Sequence, residues 1–326
     1  MEHRHLGRTG LRVSRLGLGT LTWGRDTDER DAADQLKAFW DAGGSLVDTA
    51  DVYSDGGAEY LLGRIVEDLV PRADLVIATK AGSVPDPDRR FDTSRGHLLS
   101  ALDASLQRLG TDYVDLWQVH AFDPGTPLDE TLQALDIAVS SGRARYVGVS
   151  NFCGWQLAKA AAWQLAGPGR TPLASTQMEY SLLQRGIERE VLPAALDLGV
   201  GLLPSSPLGR GVLTGKYRQG TPPDSRGGSA DMAPFVAPYL DETARLIVDA
   251  LAIAADGLAV SPLHVALAWV RDRPGVTAPI VGARNAAQLT AALSVEALTL
   301  PEEIYLALDD VSAPLHRYPD HDWSTL

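Results

Sequence analysis

The chain is predicted to be an α/β protein forming one closed (β/α)8 barrel. Three observations predict it: eight short apolar runs, longer amphipathic runs between them, and a length that suits a single barrel domain over 1–326. The apolar runs, read as strands, are 16–19, 46–49, 75–80, 114–120, 146–150, 175–179, 200–204 and 278–282. Helices are expected near 29–43, 58–68, 95–109, 129–142, 154–166, 187–198, 241–256 and 286–293. Strands that alternate with helices form a parallel sheet, and eight such units suggest closure rather than an open sheet. Barrels of this kind run to ~250 residues or more as one domain, so 326 residues leave room for long loops.

The elements follow in order. His5-Leu6 and Leu11-Arg12-Val13 flank Gly7-Arg8-Thr9-Gly10, so 1–15 reads as a β-hairpin able to plug the barrel bottom. The helix starting near Glu29 places Ala32, Ala33, Leu36, Phe39 and Trp40 on one broad face at helical spacing. After the seventh strand comes the longest irregular stretch, 217–238, rich in Gly, Pro, Ser and Asp; loops of that length are usually functional or disordered. The tail 313–326 is also irregular, and its His316, Tyr318, His321 and Trp323 are candidates to fold over a site.

Composition narrows the function. A net charge of −13 argues against a nucleic-acid surface, which needs a basic face. Cys153 is the only cysteine, so no internal disulfide and no cysteine-pair metal site can form, as befits a reducing cytoplasm. The N-terminus Met1-Glu2-His3-Arg4-His5 lacks the apolar stretch of a signal peptide, and no apolar run approaches the ~20 residues of a membrane span. A soluble, cytoplasmic protein is expected, with a small-molecule partner, no nucleic acid and no membrane.

In a (β/α)8 barrel the active site gathers at the C-terminal ends of the strands. Those ends hold Asp48, Lys80 and His120, with Tyr53 in the loop after Asp48. Singly, each has an ordinary explanation: a turn cap, a snorkelling lysine, a packed tyrosine, a core histidine. Together they make coherent chemistry. A tyrosine with a pKa near ~10 is a poor proton exchanger at neutral pH, and an adjacent ammonium lowers that value. Asp48 would hold Lys80 charged, His120 would donate to a substrate oxygen, and Tyr53 would be general acid or base.

At these residues the chain resembles the aldo-keto reductase family. Val47-Asp48-Thr49-Ala50-Asp51-Val52-Tyr53 is similar to the segment supplying its aspartate and tyrosine. Ile77-Ala78-Thr79-Lys80 resembles that of its lysine, and Asp115-Leu116-Trp117-Gln118-Val119-His120 that of its histidine. The match runs from Leu6-Gly7-Arg8-Thr9-Gly10 to Gly282-Ala283-Arg284, and the motifs in this order are specific where each alone is weak. The resemblance implies NADP(H)-dependent interconversion of carbonyls and alcohols, with no metal. It implies that Ser150, Asn151 and Gln177 bind the nicotinamide carboxamide. Pro207-Leu208-Gly209-Arg210-Gly211 through Lys216 would form a pyrophosphate-covering loop, extending over 209–238, with charge from Arg210. Arg284, before the helix starting near Ala286, would contact the adenosine 2′-phosphate, and Gln288 the adenine side. Gly19 and Thr20 would end the first strand against the cofactor, with Gly282 at the end of the eighth. Trp23, Phe122 and Trp323 are candidate walls of the substrate pocket.

Two departures stand out. Ser205 occupies the position where many relatives stack Trp or Tyr on the nicotinamide, and Ala291 and Ala292 replace residues that often hold Glu and Asn near the adenine. Leu16-Gly17-Leu18-Gly19-Thr20 is not a Rossmann fingerprint, since no third glycine falls at the required spacing and Asp48 lies too far on. Two rivals remain. One is a reductase-like regulatory subunit that binds nucleotide with little turnover. The other is a barrel metal hydrolase, which needs clustered ligands where His120 is the only strand-end histidine.

Overall fold

The computed structural model describes residues 1–314 except Pro87 and Asp231. The tail positions His316, Tyr318, His321 and Trp323 lie outside the described residues. Strands β1 (His3–His5) and β2 (Arg12–Ser14) pair antiparallel, with Arg4 opposite Val13. Gly7 turns the hairpin at φ +56, where any Cβ would strike the backbone of Gly199 and Gly201. The Arg8 N–H donates to Gly199 O at 2.8 Å. The hairpin therefore sits against the N-terminal rim of the barrel, opposite its mouth. Leu6 and Val13 are fully buried against Leu46, Ala78, Leu116, Ala174 and Leu203, the apolar filling of the barrel floor.

The barrel strands are β3 (Gly17–Gly19), β4 (Leu46–Asp48), β5 (Val76–Ala81), β6 (Val114–Val119), β7 (Ala144–Ser150), β8 (Leu173–Glu179), β9 (Gly201–Ser205) and β10 (Ile280–Gly282). They pair in parallel in the order β10-β3-β4-β5-β6-β7-β8-β9. The seam between β9 and β10 is bridged just below β10, where the Thr277 N–H donates to Leu202 O at 2.8 Å. All eight expected strands are present, and every strand delivers its last residue to the same mouth.

The helices are α1 (Glu29–Asp41), α2 (Gly57–Leu69), α3 (Arg95–Leu109), α4 (Leu128–Ser140), α5 (Gly154–Ala166), α6 (Val191–Leu198), α7 (Ala233–Val236), α8 (Glu242–Gly257), α9 (Pro262–Arg271), α10 (Ala286–Leu293) and α11 (Glu302–Val311). In α1, Asp28 caps the first turn through the Asp31 N–H, and Ala32, Gln35, Leu36 and Phe39 are buried, while Trp40 stays exposed at the edge of the expected face. Helix α6 begins four residues later than expected, because 186–188 forms a separate 3-10 turn. Three helices, the short α7 together with α8 and α9, stand between β9 and β10, where the sequence predicts one. Val265–Arg271 of α9 is buried throughout. The stretch 217–238 is likewise not wholly irregular, since it contains a 3-10 turn at Arg226–Gly228 as well as α7. No single described helix is long and apolar enough to cross a membrane.

Candidate active site

The mouth is organised around a buried ion pair. Lys80 on β5 is fully buried and Asp48 at the end of β4 is 2% exposed. Lys80 Nζ donates to Asp48 Oδ2 at 2.7 Å and to Thr49 O at 2.7 Å. Gln177 on β8 donates from Nε2 to the other oxygen, Asp48 Oδ1, at 2.9 Å. Burial opposes the lysine charge, but Asp48 and Tyr53 outweigh it and raise the Lys80 pKa, so the ammonium is retained.

Tyr53 begins a tight turn in which Ser54 and Asp55 are left-handed (φ 53 and 54), followed by Gly56 at φ +86. The Ser54 hydroxyl donates to Trp23 O at 2.7 Å and anchors that turn. Lys80 Nζ lies 5.2 Å from the Tyr53 ring centroid. The sequence predicts that the ammonium lowers the phenol pKa. In the structure burial dominates and raises it; Lys80 pulls the other way, and Asp48 adds to the rise. Tyr53 is therefore protonated throughout the neutral range.

His120, just beyond β6, packs edge-on to Tyr53 with ring centroids 6.0 Å apart. Burial first, and the Lys80 charge second, lower its pKa to about 3. It is a neutral imidazole, a hydrogen-bond donor rather than a cation. Its Nδ1 is buried without a hydrogen-bond partner among the described residues. Asn151 adopts a left-handed backbone (φ 55) and donates from Nδ2 to His120 O at 2.9 Å, which fastens the end of β7 to that of β6.

One cleft of about 590 Å³ brings most of the expected residues together: Gly19, Thr20, Asp48, Tyr53, His120, Ser150, Asn151, Gln177, Ser205, Leu208, Arg210, Lys216, Gly282, Arg284 and Gln288 all line it. Lys80 lies beneath the surface, and Gly209 is buried in a left-handed turn where a Cβ would meet Leu183. Others are placed differently. Trp23 is fully buried, with its indole N–H on Gln35 Oε1 at 3.2 Å, so it offers no wall to the cleft. Phe122 packs edge-on against Phe152 and Trp155 and is not among the cleft residues. Arg210 supplies no free charge. Its Nε and Nη2 donate to Glu179 Oε1 and Oε2 at 3.0 and 2.6 Å, and its guanidinium stacks 3.9 Å from the Phe235 ring centroid. The arginine ties the loop after β9 to the end of β8.

Arg226 is a cleft residue that the sequence reading missed. Its signal was a cation within the Ser225-Arg226-Gly227-Gly228 turn, obscured by the loop composition. Lys216, Arg226 and Arg284 gather in the cleft, with Arg284 Nη1 on Asp224 O at 2.7 Å. Burial lowers the pKa of Lys216 and of Arg226, and neighbouring cations lower both further, Arg284 acting on each. Cations that repel one another in a partly buried groove form a receptor for a polyanion. Asn285 caps α10 through the Gln288 N–H, and the Gln288 side chain returns to the Arg284 N–H at 3.0 Å. Among the described residues no group of three or more His, Cys, Asp or Glu is placed to hold a metal ion.

A parallel barrel with a proton-handling cluster and a cationic groove at its C-terminal mouth has the build of an enzyme acting on a small molecule beside a phosphorylated cofactor. Comparison with known proteins narrows that class: the model of the Aldo/keto reductase family matches residues 15–313, and the chain belongs to this family. It is accordingly an oxidoreductase of a family that uses nicotinamide nucleotides. It is similar to an uncharacterized oxidoreductase, YrpG, of Bacillus subtilis (strain 168), at 38% identity over 95% of this chain and 96% of the relative. A probable voltage-gated potassium channel subunit beta of Oryza sativa subsp. japonica is 37% identical over 98% of both chains. Versiconal hemiacetal acetate reductase of Aspergillus parasiticus is 32% identical over 97% of this chain and 99% of the relative.

Proposed function

We propose that this chain reduces small aldehydes and ketones to alcohols with NADPH, and that Tyr53 delivers the proton. The supporting observation is that Tyr53 and the uncharged His120 open onto the same cleft as Lys216, Arg226 and Arg284, with the Lys80–Asp48 pair buried behind them. The residues present fit a phosphorylated dinucleotide. The three cations suit its phosphates, and their number favours the form bearing a 2′-phosphate. Ser150, Asn151 and Gln177 suit the carboxamide, the two amides having their amino ends already engaged within the protein. Bound there, the reduced nicotinamide supplies a hydride.

The chain's own side chains do the rest. Neutral His120 donates an N–H to the substrate oxygen and polarises the carbonyl. Tyr53 passes its phenolic proton to that oxygen as the alcohol forms. The Lys80 ammonium, held by Asp48, stabilises the phenolate left behind. In the oxidative direction the same phenolate takes the alcohol proton.

The test is NADPH and NADH consumption against a panel of aldehydes, ketones and sugars, with Tyr53→Phe in parallel. The variant is expected to lose most turnover while binding NADPH nearly as the wild type does; near-native turnover excludes Tyr53 as the acid. The resemblance to a potassium channel subunit beta supports a second reading, a nucleotide-binding regulatory subunit. Tight NADPH binding with scarcely any turnover across the panel selects that reading.

A further inference from the structure

The segment following β4 grips Lys80 at two points. The ammonium donates to Thr49 O at 2.7 Å, and the Asp51 N–H donates to Lys80 O at 3.1 Å. Asp51 is thereby set beside the lysine without being its ion-pair partner, which is Asp48. Its Oδ1 is buried and has no hydrogen-bond partner among the described residues. Nearby, Glu59 on α2 is fully buried and accepts from Arg108 on α3 at 2.7 Å and from the Thr79 hydroxyl on β5. The two cations of the neighbourhood are thus committed elsewhere, Lys80 to Asp48 and Arg108 to Glu59. A carboxyl with one oxygen buried and unsatisfied resists ionisation, and a second carboxylate beside it strengthens that resistance.

We propose that Asp51 is an electrostatic positioning residue of this site, whose half-buried carboxyl sets how much negative charge the Tyr53–Lys80 pair faces and so biases the direction of proton transfer. The proposal rests on the reading of Tyr53 as proton donor. The groups bearing on Asp51 are Glu59 from α2, Arg108 from α3, Lys80 from β5 and Tyr53 on its own loop. Burial and then Glu59 push its pKa up to about 7, against the Val52 backbone N–H, Arg108 and Lys80. Below that pH, Asp51 is neutral. Above it, Asp51 releases its proton to solvent and adds an anion near Tyr53, raising the phenol pKa further. A raised phenol keeps its proton. Ionised Asp51 therefore preserves the donor needed for carbonyl reduction and disfavours the phenolate needed for alcohol oxidation.

The experiment uses the full chain with Asp51→Asn, and Asp51→Ser should the asparagine variant fold poorly. Carbon-13 NMR of aspartate-labelled protein is expected to show a carboxyl titrating near neutrality in the wild type, and that signal vanishes in the variant. In kcat/KM profiles, the alkaline limb of reduction and the rising limb of oxidation both move to lower pH in the variant, by about half a unit or more. A simple packing defect lowers rates without moving the limbs. The absence of such a carboxyl, or unmoved limbs in the variant, overturns the proposal. The parent reading is judged separately by Tyr53→Phe, and the carboxyl titration needs no turnover.

Discussion

Replacing Lys80 by methionine separates what the buried ion pair does for catalysis from what it does for folding. Methionine keeps much of the length and apolar stem of lysine but removes the charge. Asp48 is then left 2% exposed, with Gln177 as its remaining side-chain donor among the described residues. Removing one partner of a buried pair costs about 3–5 kcal/mol. Against the roughly 5–15 kcal/mol that stabilises an ordinary domain, this is a severe loss. The double variant Asp48→Asn/Lys80→Met removes both charges and retains an amide oxygen for Gln177, so most of that loss should return. Activity should not return, because the ammonium that stabilises the Tyr53 phenolate is absent from both variants; a fall of about 100-fold or more is expected. Urea denaturation and kcat/KM of the wild type, single and double variants give the comparison. The wild type also has a pH signature. The folded-state pKa of Lys80 is raised above its ordinary 10.5, so its contribution to stability is complete below that pH and is lost as pH climbs through the higher value. Neither variant should show that alkaline component. A single variant as stable as the wild type, or a double variant no more stable than the single, refutes the reasoning about the pair. Restored turnover in the double variant removes Lys80 from the chemistry.

Three further outcomes follow from the same geometry. Arg226→Ala and Arg284→Ala should each raise KM for NADPH about tenfold or more, with a smaller effect on NADH, since a charge-assisted phosphate contact is worth roughly 1.5–3 kcal/mol; equal effects on both nucleotides would assign the cations another task. The His120 pKa is depressed to about 3, so its contribution favours the folded state above the ordinary 6.5 and is lost as pH falls toward 3; acid-unfolding curves of His120→Gln should show a smaller decline over that interval than the wild type. Ser205 lines the cleft without an aromatic face, so Ser205→Trp should tighten NADPH binding by roughly two- to tenfold in a calorimetric titration, and unchanged or weaker binding would mean that the space is already filled.

Much of this protein was legible from local pattern. Strand and helix periodicities and the hairpin turn around Gly7 depend on neighbours within a few residues, so a linear reading reached them. The family motifs carried Asp48, Tyr53, Lys80 and His120 into the expectation, and the cleft and its floor unite them. Helix α9 lay outside the expectation, although Ser261-Pro262 stands at its start as a cap and first-turn proline. Helix α11 has a different character, with Leu308 its one buried residue, and its start is marked by Pro301 with Glu302 and Glu303 in the first turn.

What the sequence by itself determined was the order of the eight barrel strands and, because parallel strands end at one mouth, which strand-end residues meet there. Only the tertiary structure decided what those residues are able to do. Charge is settled by burial and by partners distant in the chain, and neither is written in local spacing. Hence the Tyr53 phenol is raised although a lysine lies beside it, because loss of water outweighs one ammonium. Arg210 is neutralised by Glu179, 31 residues away, while Arg226 inside an unpromising loop lines the groove with Lys216 and Arg284. Trp23 leaves the pocket for the core for the same reason: its surroundings, not its neighbours in sequence, determine which face of the barrel it meets.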